Sequence, residues 1–267
     1  MAHQQAQPRR TYAAVSSLEV FHTGGPVRLS PDGLFVATAC VEAVSVVEVA
    51  TGKVMHTLEG DTEPITALAW SKDSRRVFTA SRSMRCAVWD ATTGERVRTF
   101  KAHATPVLYM AVDPTGALLV TASADRTARV WDVAKGFCTH AFRGHAAMVT
   151  HAAFHPDPRR LELYTGSHDG EIRVWSLRDR ACVGVMHEHT SGITGLTVPM
   201  AAAGGSDVLL SSARDRVVHQ WSLKTKKRVA TVPTHEACEG LVQARHLSKA
   251  VVAVGEAVGV QQQHGFR

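Results

Sequence analysis

The sequence predicts an all-β fold of the β-propeller class, and three observations carry that prediction. Tryptophans recur at Trp89, Trp131, Trp175 and Trp221, spaced 42, 44 and 46 residues apart, which is close to the period of a four-stranded propeller blade. Each ends a strand-like run: CAVWD (86–90), ARVWD (128–132), IRVWS (172–176) and VHQWS (218–222). Between them, short β-branched and aromatic runs alternate with turns rich in Gly, Pro and Asp.

The unit at 103–144 has the clearest internal order. VLYMAV (107–112) reads as an inner strand, DPTG (113–116) as a turn and ALLVTAS (117–123) as a second apolar strand. A turn centred on Asp125 follows, then TARVWD (127–132) and the more exposed FCTHAF (137–142). Four such strands make one blade. The same grammar divides the chain into five repeats at about 25–60, 61–102, 103–144, 145–188 and 189–232. In the first, SVVEVATGKV (45–54) aligns with the unit that follows it, with Val47 and Glu48 where Trp and Asp stand elsewhere.

The flanks are predicted as a polar tail (1–11), a closing strand segment (12–24) containing YAAVSSLEV (12–20), and a degenerate partial sixth blade with a tail (233–267). In the last of these, EGLVQARHL and KAVVAVGEAVGV offer two strands without a Trp-Asp ending. Seven blades would need roughly 300 residues, so the expectation is an incomplete, open ring from a fragment or truncated gene.

A set of polar residues recurs at matching offsets: His103, Thr121, Asp125 and Trp131; His145, Thr165, Asp169 and Trp175; His189, Ser211, Asp215 and Trp221. Each set supplies a carboxylate, an imidazole, a hydroxyl and an indole, donors and acceptors that can satisfy one another. A catalytic triad is a singular arrangement, whereas these recur once per unit, so the expectation is structural, with no catalytic residue, metal or cofactor. The second unit departs, with Asp61 in the His position and Ser83 in the Asp position, and a weaker network is expected there.

Other motifs fail on spacing. His151 and His155 lie on a strand and its turn, about 13 Å apart over four residues, too far for one zinc. His187 and His189 have no third ligand in sequence, and TGK (51–53) lacks the glycine of a phosphate loop. The five cysteines at 40, 86, 138, 182 and 238 have no CxxC pair and are expected as buried thiols in a reducing compartment. No apolar run long enough for a membrane occurs and no signal peptide opens the chain, so neither membrane association nor a small-molecule substrate is expected.

With 45% hydrophobic and 20% charged residues the composition is that of a globular protein, and the net charge of +6 favours polyanionic partners. Arg82, Arg126, His168, Arg214 and Arg216 fall in the turns between second and third strands. They define a candidate basic rim for RNA or an acidic partner.

These repeats resemble the WD-repeat family. Beyond the generic repeat, FRGHAAMVTHAAFHPDPRRLELYTGSHDGEIRVWSLRDRACVGVM (142–186) is similar to the transducin-beta-like, U3 small-nucleolar-RNA-associated WD-repeat subunits of the small-subunit processome. The AFHPDP turn and the IRVWSL run carry most of the match. TYAAVSSLEVFHTGGPVRLSPDG (11–33) and TVP (231–233) extend it over about residues 11–240. The resemblance implies a nucleolar scaffold in pre-rRNA processing. Its implied partners are other WD-repeat subunits, among them a periodic-tryptophan-like protein, with pre-rRNA or U3 snoRNA as RNA contacts. The alternative is a generic adaptor such as a ubiquitin-ligase substrate receptor. Such receptors carry WDxR, whereas WDAT (89–92) and WDVA (131–134) lack the Arg and WSLR (175–178) lacks the Asp.

Overall fold

A computed structural model describes residues 24–199, 207–234, 236–243 and 250–254. Among them are 22 strands and no helix. Blade 1 comprises β1 (Val27–Leu29), β2 (Phe35–Cys40), β3 (Ala43–Glu48) and β4 (Val54–Glu59), and blade 2 comprises β5 (Ile65–Trp70), β6 (Arg76–Ser81), β7 (Arg85–Asp90) and β8 (Arg96–Lys101). Blade 3 follows with β9 (Val107–Val112), β10 (Leu118–Ser123), β11 (Thr127–Asp132) and β12 (Cys138–Arg143). Blade 4 has β13 (Val149–Phe154), β14 (Glu162–Ser167), β15 (Glu171–Ser176) and β16 (Ala181–His187). Blade 5 has β17 (Ile193–Thr197), β18 (Val208–Ala213), β19 (Val217–Ser222) and β20 (Lys227–Pro233). Each is a four-stranded antiparallel meander in chain order, and a two-stranded sheet of β21 (Cys238–Gln243) and β22 (Ala250–Val254) follows. The architecture is an open β-propeller.

The alternation of each strand places one face against the preceding blade and the other against the next, so the core is a series of inter-blade layers. Trp89 packs with Ala37, Val44 and Leu58 of blade 1. Trp131 packs with Phe78 and Val88 of blade 2, Trp175 with Val120 and Val130 of blade 3, and Trp221 with Tyr164 and Val174 of blade 4. Every Trp therefore closes the layer toward the blade before its own. In blade 1 Val47 takes the place of the Trp and is itself buried.

Two glycines stand where a side chain would run into neighbouring backbone. A Cβ on Gly170, whose φ is +81°, would stand 2.7 Å from the carbonyl oxygen of His189, and one on Gly195 would stand 2.7 Å from the backbone nitrogen of Leu241. Both positions let one blade approach the backbone of the next.

The cysteines correct an expectation. Cys86 and Cys238 are buried, but Cys138 and Cys182 are exposed and Cys40 is half-buried. The reason is positional: Cys138 and Cys182 open the outermost strands β12 and β16, whose outer edge no further strand covers. The anticipated closing strand (12–20) and both tails lie outside the described residues.

Candidate functional site: buried tetrads and an arginine rim

The recurring polar residues meet in blades 3, 4 and 5. The loop entering each blade brings a His beside the turn between its second and third strands, because both emerge at the same end of the sheet. In blade 3 the Trp131 indole donates to Thr121 Oγ1 at 2.9 Å, His103 Nε2 lies 2.7 Å from the same hydroxyl, and His103 Nδ1 lies 2.8 Å from Asp125 Oδ2. In blade 4 the corresponding distances are 2.8 Å for Trp175 to Thr165, 2.7 Å for His145 to Thr165 and 3.3 Å for His145 to Asp169. In blade 5 they are 2.7 Å for Trp221 to Ser211, 2.7 Å for His189 to Ser211 and 2.8 Å for His189 to Asp215.

The proton order follows from the two ends. An indole can only donate and a carboxylate can only accept, so the hydroxyl gives its own proton to Nε2 and the neutral imidazole carries its proton on Nδ1. Every group in the chain is then satisfied. The carboxylates also take backbone amides: Thr127 for Asp125, Ala146 and Glu171 for Asp169, Thr190 and Val217 for Asp215.

Burial would raise the pKa of Asp125 and Asp169, but hydrogen bonds outweigh it and hold both carboxyls below their ordinary range. Burial depresses His103, His145 and His189 despite the adjacent carboxylates. Protonating any of these rings would aim an N–H at a hydroxyl already committed to it.

The Ser211–His189–Asp215 set has the connectivity of a hydrolytic triad, yet Ser211 is wholly buried and its oxygen already receives the Trp221 indole. No acyl group can approach it, so the geometry supports a structural role. Among the described residues, two places where three metal-ligating atoms lie within 4.8 Å of one another coincide with tetrads: His189, Asp215 and His219, and His145, Asp169 and Glu171. Both ring nitrogens of His189 and of His145 are already engaged. His151 on β13 lies against Tyr109, with ring centroids 4.7 Å apart, while His155 in the following turn lies 6.3 Å from the Tyr164 ring and its Nδ1 accepts the Asp157 amide. TGK ends as a hairpin turn, with Thr51 bonded to Glu48 and Gly52 at a φ of +68°.

Sequence reading missed two features. His219 stacks on His189 with ring centroids 4.3 Å apart and meets Trp221 edge-on at 5.5 Å. Its position matches Arg129 and Arg173 in blades 3 and 4, and that mismatch between aligned units is the signal that could have found it. Second, the inner strands of all five blades line a cavity of about 440 Å³. Arg28 of β1 lies 5.1 Å above the Tyr109 ring, and Tyr109 is 4.7 Å from His151.

Burial lowers His219 to about 4, with His189 beside it adding to the effect. Burial, and next the charge of Arg28, lower His151 to about 4. Unfolded histidines titrate near 6.5, so below that value the unfolded chain binds more protons than the folded one. Tm is therefore expected to be flat from pH 8 to 7 and to fall steadily from pH 6.5 toward 4, measured by thermal melts across buffers of constant ionic strength. A Tm that holds or rises over that window would contradict neutral, buried histidines.

The rim residues behave differently. Arg82, Arg126, His168, Arg214 and Arg216 are all exposed and, among the described residues, none of them forms an ion pair. Arg126, His168, Arg214 and Arg216 sit in the same turns as the tetrad carboxylates and Arg82 in the equivalent turn of blade 2, so they mark one end of the arc. Arg126 and Arg216 have φ of +66° and +64°, the position that Gly170 takes in blade 4.

The WD domain, G-beta repeat model matches residues 52–90, 94–132 and 136–176. Each matched unit begins at or near the outer strand of one blade and ends with the third strand of the next. The chain is 40% identical to Transducin beta-like protein 3 of Bos taurus over 236 residues, and 40% identical to the protein of the same name from Homo sapiens over 236 residues. Each alignment covers 88% of this chain but 29% of the relative, so the chain spans under a third of the length of these relatives. A shorter likeness, 39% over 67 residues, relates 25% of this chain to 12% of Pre-mRNA-processing factor 19 of Bos taurus. The repeated blade, its indole-to-carboxylate chain and these matches together show that the chain carries WD repeats.

Proposed function

We propose that the chain is a non-catalytic scaffold of the small-subunit processome, acting in the nucleolus in pre-rRNA processing. Its partners on this reading are other WD-repeat subunits, with pre-rRNA or U3 snoRNA bound at the arginine rim. The observation that carries the reading is the likeness to Transducin beta-like protein 3 over 88% of the chain, which includes the distinctive 142–186 segment. The geometry supports it: the tetrad side chains are spent inside the blades, and the exposed rim arginines form no ion pair among the described residues.

Affinity purification of the tagged chain tests the assignment. Recovery of nucleolar propeller proteins and U3-containing particles is expected. Recovery of cullin adaptors without them would favour a ubiquitin-ligase receptor and overturn it.

The rim makes a separate prediction. Replacing Arg126, Arg214 and Arg216 with Ala should leave Tm nearly unchanged, because Ala at a positive φ carries the same backbone strain as Arg. RNA affinity should fall and its salt dependence flatten, by a log–log slope of about 0.7 for each single-strand phosphate that the variant no longer neutralises. Identical salt titrations for wild type and variant would remove the rim from the binding surface.

A further inference from the structure

Blade 2 is the one Trp-bearing blade without a tetrad histidine, and the way it differs leaves a defined space. In blades 3 to 5 the imidazole bridges a buried hydroxyl, 2.7 Å from Nε2, to a carboxylate 2.8–3.3 Å from Nδ1. In blade 2 the indole end is intact: Trp89 donates to Thr79 Oγ1 at 3.0 Å, and Thr79 is buried. At the other end Asp61 replaces the ring. Its shorter carboxylate accepts Ser81 Oγ at 2.8 Å and Ser83 Oγ more closely still. The weaker network expected from sequence is thus a network with its two outer parts exchanged and its middle opened.

Between the two ends lies a cavity of about 40 Å³, lined by Asp61, Ile65, Thr79, Ser81, Arg85 and Ala87 among others. A single water needs roughly 10–15 Å³ and two to four polar partners. Here the Thr79 hydroxyl has a proton to give, as its counterparts give theirs to Nε2, and the Asp61 carboxylate has capacity to accept. Cavities that stay empty are lined by apolar groups alone, which this one is not.

We propose that blade 2 seats an ordered structural water where the other blades hold an imidazole, accepting from Thr79 and donating to Asp61. Other ligand classes fit poorly. The space is far below the roughly 300–1,000 Å³ of organic-ligand pockets. The Ser83 and Ser81 hydrogen bonds, with the charge of Arg85, hold Asp61 ionised despite its burial, so the carboxylate accepts from a water and gives nothing to an anion. One carboxylate with no His or Cys on the lining is a poor cation site.

Water–protein NOE spectroscopy on the full chain tests this. The wild type is expected to show a long-lived water signal at the side-chain protons of Thr79 and Trp89. Asp61→His with Ser83→Asp rebuilds the tetrad of the other blades, so it should abolish that signal and raise Tm. Ala87→Val fills the same space without any new polar group and should abolish the signal as well, which keeps the test open should the double variant misfold. Absence of the signal in folded wild type, or its persistence in either folded variant, would overturn the proposal.

Discussion

Trp175→Ala is expected to be the most damaging single substitution, lowering stability by about 3–5 kcal/mol, the range for deleting a buried large aromatic. Trp175 is buried between blades 3 and 4, stacked on Phe142 with centroids 4.9 Å apart, and its indole holds Thr165. At roughly 2–4 °C per kcal/mol for a domain of this size, Tm should drop by about 6–20 °C. Trp175→Phe keeps most of the ring area but loses the N–H, so it should cost much less, about 1 kcal/mol beyond the packing change. Equal losses for Ala and Phe would mean that the indole hydrogen bond, and not the packing, holds the layer.

Asp169→Ala comes next. The carboxylate serves His145 Nδ1 and the amides of Ala146 and Glu171, and its removal strands these donors at the edge of a buried network. The expected loss is about 1–3 kcal/mol, or roughly 2–12 °C in Tm. The effect should be far smaller at Asp90, which occupies the exposed hairpin end of β7 and bonds only its own turn. A thermal melt of the two variants side by side separates a network carboxylate from a turn carboxylate.

Much of the fold was readable because a propeller blade repeats one solution. The Trp spacing gave the period, and in the clearest unit VLYMAV and TARVWD coincide with β9 and β11. The tetrad members were readable for the same reason, since three aligned copies separate a recurring hydrogen-bond chain from incidental polar residues. What was not readable depends on how units meet. Cys138 and Cys182 look like other small apolar positions in a strand, and only the sheet order shows that their strand has an open edge. Asp61 and Ser83 read as missing partners, because the exchange of donor and acceptor between them is a matter of side-chain direction. Arg28 meets Tyr109, 81 positions along the chain, a pairing that no local pattern encodes.

If the tetrads hold the blades while the rim meets partners, partner recovery plotted against fraction folded should separate the two roles. Wild type, Asp169→Ala, Trp175→Ala and the Arg126, Arg214 and Arg216 triple variant would each be melted, then used to recover partners at matched concentration. The network variants should fall on one line, losing partners only as they lose fold. The rim variant should fall below that line, fully folded and depleted of partners. A folded Asp169→Ala chain that had lost partner binding or any other activity outright, with the rim variant unaffected, would contradict this division.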